Sequence, residues 1–255
     1  MKLAGAFTRW PPNTVATTSW FREQGISRQL LSKYQRSGWI ERVEQGCFKK
    51  AGESIDWSGA VYALQSQLGL SIYPEAYTAL QLHGISHHVQ VGNAPVILLS
   101  GLPGNALPRW FLRADWGADI SYRTSGLFPD QTALTDQEFR GNYRIKISSP
   151  ERAVLEVVDR IRDSSGFEDA ANIIESAIGL NPASLRDLLL STPSFRLRRI
   201  FLFLAKHLNI PGRDILESAQ IELGSGVVSV IQGGKYIKEF SITVPESFVR
   251  EESLF

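Results

Sequence analysis

Two glycines, Gly25 and Gly38, bracket the segment ISRQLLSKYQRS and decide how the start of this chain can fold. Upstream, Thr17 or Thr18 offers a capping hydroxyl for a short helix through Gln24, with Trp20 and Phe21 as its buried bulk. Gly25 ends that helix, because a left-handed position after a helix suits glycine best. Ile26 is the single apolar residue of a tight turn, and Ser27 caps the next helix. There Leu30, Leu31 and Tyr34 fall on one face at spacings of three and four, while Arg28, Gln29, Ser32, Lys33 and Arg36 occupy the other. Two helices joined by so short a glycine-containing turn predict a helix-turn-helix.

After Gly38, the run WIERVEQGCFKK predicts a β-hairpin turning at Glu44-Gln45-Gly46. A hairpin directly after a recognition helix is a wing, and this one carries Arg42, Lys49 and Lys50. Charge agrees. Residues 1–55 hold nine basic and four acidic residues, whereas the rest holds 18 basic and 22 acidic. A basic head on a mildly acidic body suggests an anionic partner for the head alone. The DNA-contact set read from this unit is Thr18, Ser27, Arg28, Gln29, Ser32, Lys33, Arg36, Arg42, Lys49 and Lys50. Arg28, Gln29 and Ser32 lie near the helix start, where base edges are reached; Lys33, Arg36, Arg42, Lys49 and Lys50 suit phosphates.

The stretch from Thr17 to Gly52 resembles the N-terminal winged helix of the AbiEi family of antitoxins and transcriptional regulators. The features that carry it are Gly25-Ile26-Ser27, the pair Leu30-Leu31, the run from Ser37 to Arg42, and Gly46-Cys47-Phe48 (the family more often has tyrosine at that last position). YTALQLHGIS (Tyr77–Ser86), SSPERAVLEVVD (Ser148–Asp159) and YIKEFSITVP (Tyr236–Pro245) extend the similarity over nearly the whole chain. The resemblance implies a type IV toxin–antitoxin system: repression of the chain's own operon through double-stranded operator DNA, and antitoxicity residing in the body. It also implies a cognate nucleotidyltransferase-like toxin, antagonised without need of a stable complex.

The body changes pattern. Trp57, Val61, Leu64 and Leu68 form a helical stripe ended by Gly69, and a second helix runs from after Pro74 to Gly84. Strand-like runs follow at Val96–Ser100, Trp110–Asp115, Ala118–Thr124 and Tyr143–Ser148, with Arg109–Asp115 and Ile120–Arg123 read as half-exposed antiparallel strands. GLPGNALP and GLFPDQTALTDQ read as loops. Ser149-Pro150-Glu151 starts a helix with the stripe Val154, Val157, Val158 and Ile161. Further helices are expected at 168–178, 182–190 and 195–208, then strands VVSVI and YIKEFSITVP joined by Gln232-Gly233-Gly234. The order predicts an α+β fold: a winged helix-turn-helix over residues 1–53 and a larger mixed body over 54–255, with a possible sub-boundary near 190.

Chemistry is hard to find. Gly233-Gly234-Lys235 lacks the spacing of a phosphate-binding loop, and Gly224-Ser225-Gly226 is not a nucleophile elbow. His83 and His87 have metal-pair spacing, but Gly84 breaks the helix, and with His88 they read as surface or partly buried residues. Glu151 with Glu156, and Asp159 with Asp163, read as solvated helix faces. No catalytic site, metal or cofactor is expected. Lone Cys47 should face the hairpin interior and suits a reducing cytosol. No apolar run is long enough to span a membrane, and MKLAGAFTRWPPN has no secretory core. The basic residues Arg109, Arg113, Arg123, Arg144 and Lys146 are either ordinary sheet surface or a partner-binding face with Trp110 and Trp116 as anchors. Three alternatives stay open: a DNA-binding regulator unrelated to toxin neutralisation, a winged helix used for protein contact with the body as a scaffold, and a nuclease steered by a DNA-binding head.

Overall fold

A computed structural model describes residues 2–85, 94–129, 131–177 and 179–249. The fold is α+β, with an N-terminal winged helix and a larger body. The head begins with α1 (Lys2–Arg9), which the sequence reading missed. Its inward residues, Ala6 and then Trp10, are fully buried. β1 (Ala16–Thr17) follows, and the Thr17 hydroxyl caps α2 (Thr18–Glu23) by accepting from the Trp20 amide at 3.2 Å. Gly25 takes φ +73°, as the turn requires. Ser27 then caps α3 (Arg28–Arg36), its hydroxyl accepting from the Leu30 amide at 3.3 Å. β2 (Ile40–Glu44) and β3 (Cys47–Lys50) form the expected hairpin, and β1 adds to it in the order β1-β3-β2, with Ala16 opposite Phe48.

Aromatic packing holds the head together. Phe21 is wholly buried and meets Trp10, Trp20 and Phe48 edge-on at centroid distances of 5.4, 5.2 and 5.9 Å. Such edge-to-face contacts add to the area term of burial. Leu31 closes the cluster from α3, with Leu30 and Tyr34 packed at its margin. The Leu30/Leu31/Tyr34 face is thereby spent on the core, which leaves the opposite face of α3 in solvent.

The chain divides into two compact units: Met1–Pro74 with Val89–Ser125 and Thr135–Ile147, and Glu75–His88 with Gly126–Leu134 and Ser148–Phe255. In the first unit α4 (Trp57–Ser66) is capped by Asp56, and Gly59 allows α4 to lie against the head. A Cβ there would stand 2.2 Å from the Asn13 carbonyl. Gln67 fastens the same contact, accepting from the Thr17 amide and donating to the Val15 carbonyl. β4 (Ile72–Pro74) runs into α5 (Ala76–Leu82), which belongs to the second unit. β5 (Val96–Gly101), α6 (Arg109–Arg113) and β6 (Asp119–Thr124) follow.

Several expectations fail here. Trp110–Asp115 is no strand, and Ile120–Arg123 lies in a parallel strand rather than an antiparallel one: β5 and β6 pair in parallel, so the chain between them must cross back, and α6 forms part of that crossover. Nor are Trp110 and Trp116 exposed anchors; both are buried, around Phe111. GLFPDQTALTDQ contains the start of a strand as well. β7 (Leu134–Phe139) pairs with β8 (Tyr143–Ser148) through exposed ion pairs, Glu138–Arg144 at 3.3 Å and Asp136–Lys146 at 3.4 Å. A strand with so polar a sequence has no apolar alternation to betray it.

The second unit is built round α7 (Pro150–Arg160), capped by Ser149 as expected and packed against α5, α8 (Ser164–Ser176), α9 (Pro182–Ser191) and α10 (Phe195–His207). With neighbours on so many sides, α7 has little solvated face, and the reading of Glu156 as exposed is corrected: it is buried. A short α11 (Arg213–Ser218), unforeseen, packs on α9. Fully buried Arg199 donates to the carbonyls of Leu223, Ser225, Gly226 and Ser241, tying the last segments to α10. Those segments are β9 (Val228–Ser229), β10 (Lys235–Ile237) and β11 (Ile242–Val244). YIKEFSITVP is therefore two antiparallel strands, bent at a turn where Ser241 takes φ +51°, and β9 runs parallel to β11.

Candidate nucleic-acid interface

α3 projects Arg28, Gln29, Ser32, Lys33 and Arg36 into solvent, opposite buried Leu31. The side chains of Arg28, Gln29 and Lys33 make no hydrogen bond or ion pair among the described residues, and Arg42 on β2 is likewise exposed. Only Arg36 bends back, donating to the Ser32 carbonyl at 3.5 Å. The helix is thus pinned along one face by core contacts and bears unengaged cations along the other. A groove-reading helix requires that division of labour.

The remaining residues of the set have duties within the fold. Ser27 spends its hydroxyl on the α3 cap. Thr18 is half-buried, and its amide donates to the Gly46 carbonyl at the wing turn, 3.0 Å away. Lys49 pairs with Glu41 at 3.1 Å and donates to the Glu53 carbonyl at 2.9 Å. Glu41 also accepts from the Gly52 amide at 3.0 Å, and that bond, followed by Lys49, holds its carboxyl below the ordinary range. Lys50 donates to the Trp10 carbonyl at 2.7 Å and lies 5.4 and 5.7 Å from the ring centres of Phe7 and Trp10. Burial lowers its pKa, against the opposing charge of Glu53. Sequence spacing showed that these lysines sit on the wing, but not that the base of the head would engage them. Conversely, Arg22 is exposed in the last turn of α2 and was passed over, because its neighbours Trp20 and Phe21 mark that stretch as core.

Cys47 is wholly buried in β3, and desolvation pushes its thiol far above the ordinary range. A thiolate is the reactive form. The native protein is therefore expected to be unreactive toward iodoacetamide at neutral pH and to react fully once denatured; rapid labelling of the folded chain would contradict the buried placement.

The other chemical candidates find ordinary partners. His83 lies 2.9 Å from the Ser148 carbonyl through Nε2, while His87 and His88 fall outside the described residues. Among the described residues no group of three or more His, Cys, Asp or Glu could hold a metal ion, and no helix is long and apolar enough to cross a membrane.

A family described as AbiEi antitoxin N-terminal domain, transcriptional regulator, matches residues 1–91, and one described as transcriptional regulator, AbiEi antitoxin, type IV TA system, matches residues 94–245. Comparison with curated proteins returns no match. Among solved structures, the RV2827C protein from Mycobacterium tuberculosis superposes with a TM-score of 0.53 at 14% identity, over 95% of this chain and 90% of that one; at this identity the likeness concerns the fold. From end to end, then, the chain belongs to the AbiEi family of antitoxins and transcriptional regulators of type IV toxin–antitoxin systems.

Proposed function

We propose that the winged helix docks α3 in the major groove of operator DNA upstream of the chain's own operon and represses it. The observation that carries this reading is the unengaged cation face of a helix locked into a core by Leu31. Arg28, Gln29 and Ser32, in the first turns of α3, are the base-edge candidates; Lys33, Arg36 and Arg42 are the phosphate candidates. Lys49 and Lys50 brace the wing, and contribute to DNA chiefly through the positive potential they lend it. Ser27 at the start of α3 and Thr18, tied to the wing turn at Gly46, are set beside the DNA backbone. Antitoxicity belongs to the body, against a nucleotidyltransferase-like toxin and without catalysis by this chain.

The test is promoter binding by the full-length protein, read by fluorescence anisotropy across a salt series. Affinity should fall steeply as salt rises, the log–log slope being about −0.9 for each phosphate neutralised. Binding to its own promoter no tighter than to unrelated DNA would overturn operon repression. Binding indifferent to salt, or none, would favour a winged helix used for protein contact.

A further inference from the structure

Beyond the head, the arginines of the described residues are almost all engaged. Each is in an ion pair, donates to a main-chain carbonyl, or has another electrostatic or hydrogen-bonding partner, with two exceptions. The exceptions are Arg109 and Arg113, one turn apart on α6, and both are exposed. On the same side of the helix, at the i+3 position, Leu112 is 65% exposed. Behind them α6 is anchored by Trp110, Phe111 and Trp116, and the Trp116 indole donates to the Phe111 carbonyl at 2.7 Å. Three buried aromatics fix a five-residue helix whose outer face satisfies nothing in its own fold. A face so rigid loses little freedom when it docks.

Leu112 discriminates between occupants. Two free guanidinium groups alone would suit a phosphate backbone, but a backbone offers no seat for an aliphatic side chain between them. A protein surface with carboxylates beside an aliphatic residue does. The chain itself carries such a surface. On α11, Leu216 is buried, while Asp214, Glu217 and Ser218 are exposed at the same i, i+3, i+4 spacing, beside Ile215 at 39% exposure. Glu217 holds Arg213 at 3.0 Å, which leaves Asp214 as the principal acceptor.

We propose that α6 of one copy docks on α11 of a second, with Arg109 and Arg113 meeting Asp214 and Glu217 while Leu112 packs against Ile215. The faces differ, so the contact is heterologous: it closes as a dimer if both are satisfied reciprocally, and otherwise links copies in a chain. Both faces are small beside the roughly 800 Å² per partner of a stable interface, so the association is weak and salt-sensitive. It is independent of the DNA-binding reading.

Sedimentation velocity of the full-length protein without DNA, over a concentration series at low and high salt, tests it. The weight-average sedimentation coefficient should rise with concentration, and less so at high salt. Arg109→Glu with Arg113→Glu, and separately Leu112→Asp, should weaken association about tenfold or more, as should Asp214→Lys. Circular dichroism melts identify variants that remain folded. Mixing the Arg109→Glu/Arg113→Glu protein with the Asp214→Lys protein should restore association that neither shows alone. A wild type that stays monomeric throughout would overturn the proposal, as would association that survives reversal of either face or a mixture that fails to associate. Should the wild type be monomeric and Arg109→Glu/Arg113→Glu weaken promoter binding, the occupant is the DNA backbone instead. Failure here leaves promoter binding by the wild type untouched.

Discussion

Replacing Glu156 with alanine is expected to destabilise the protein by about 3–5 kcal/mol, because it strips the partner from a buried charge. The Glu156 carboxylate accepts from Arg152 Nε at 2.8 Å, from the Ser148 hydroxyl at 2.8 Å and from the Ala76 amide at 3.0 Å. Both side chains of the Arg152–Glu156 pair are almost wholly excluded from water, at 2% and 3% exposure. Buried Glu75 pairs with Arg160 in the same unit. The Ala76 bond matters beyond its own strength, since Ala76 is held at φ +47°, where a residue with a Cβ is strained. Alanine at 156 therefore removes three hydrogen bonds, leaves a cavity, and leaves the buried Arg152 guanidinium without its counter-charge, held by neutral groups such as the Thr132 carbonyl and the Phe128 ring. Chemical denaturation measures the loss, and a change below about 1 kcal/mol would show that the pair adds little.

The same group sets a pH dependence. Burial first, and the Glu75 charge second, raise Glu156 from its ordinary 4.5 to about 6, against the pull of Arg152. As pH falls through about 6 the folded protein takes up a proton that the unfolded chain accepts only near 4.5. The folded state then holds the more protons, so this group's contribution makes stability rise as pH drops through that window. Glu156→Gln, which keeps the shape without the titration, should abolish that contribution. An unchanged pH profile in the glutamine variant would assign it to another group.

Combining Arg28→Ala with Lys33→Ala is expected to weaken promoter binding by roughly 2–4 kcal/mol, the sum of a base-edge contact and a phosphate contact. Preference among DNA sequences should relax, owing to Arg28, and the salt slope should fall by about one contact's worth, owing to Lys33. Both side chains are exposed and opposite Leu31, so the thermal midpoint should hardly move. In cells carrying the cognate toxin, the variant should derepress the operon yet still rescue growth. Point substitution suits this test better than removing the head, because Gln67 and Gly59 of the α4 region pack directly on it. A variant that represses normally would sink the docking; one that derepresses and also fails to rescue, while remaining folded, would show that the two functions are not separable.

What the sequence determined by itself was whatever is local. Caps at Ser27 and Ser149, the turns at Gly25, Gly38 and Gly46, and the apolar stripes of α3, α7 and α10 are each settled by residues within one or two turns and are legible in the sequence, whereas the α2 cap was legible only as Thr17 or Thr18. The cation face of α3 was legible for the same reason: a helix period assigns one side to Leu31 and the other to Arg28 and Lys33. Only the tertiary structure decided what depends on residues distant in sequence. Trp110–Asp115 alternates well enough for a strand, but the parallel pairing of β5 with β6 demanded a crossover there. α1 is short and has Gly5 in its middle, so it does not declare itself until Ala6 and Trp10 join Phe21 in the core of the head. Glu156 resembles any exposed helix glutamate until four neighbouring helices enclose α7. The ammonium of Lys50 gives no sign in sequence that a carbonyl forty residues earlier, on Trp10, will claim it. Local propensity sets elements and caps; which charges remain free to meet a partner is set by what packs around them.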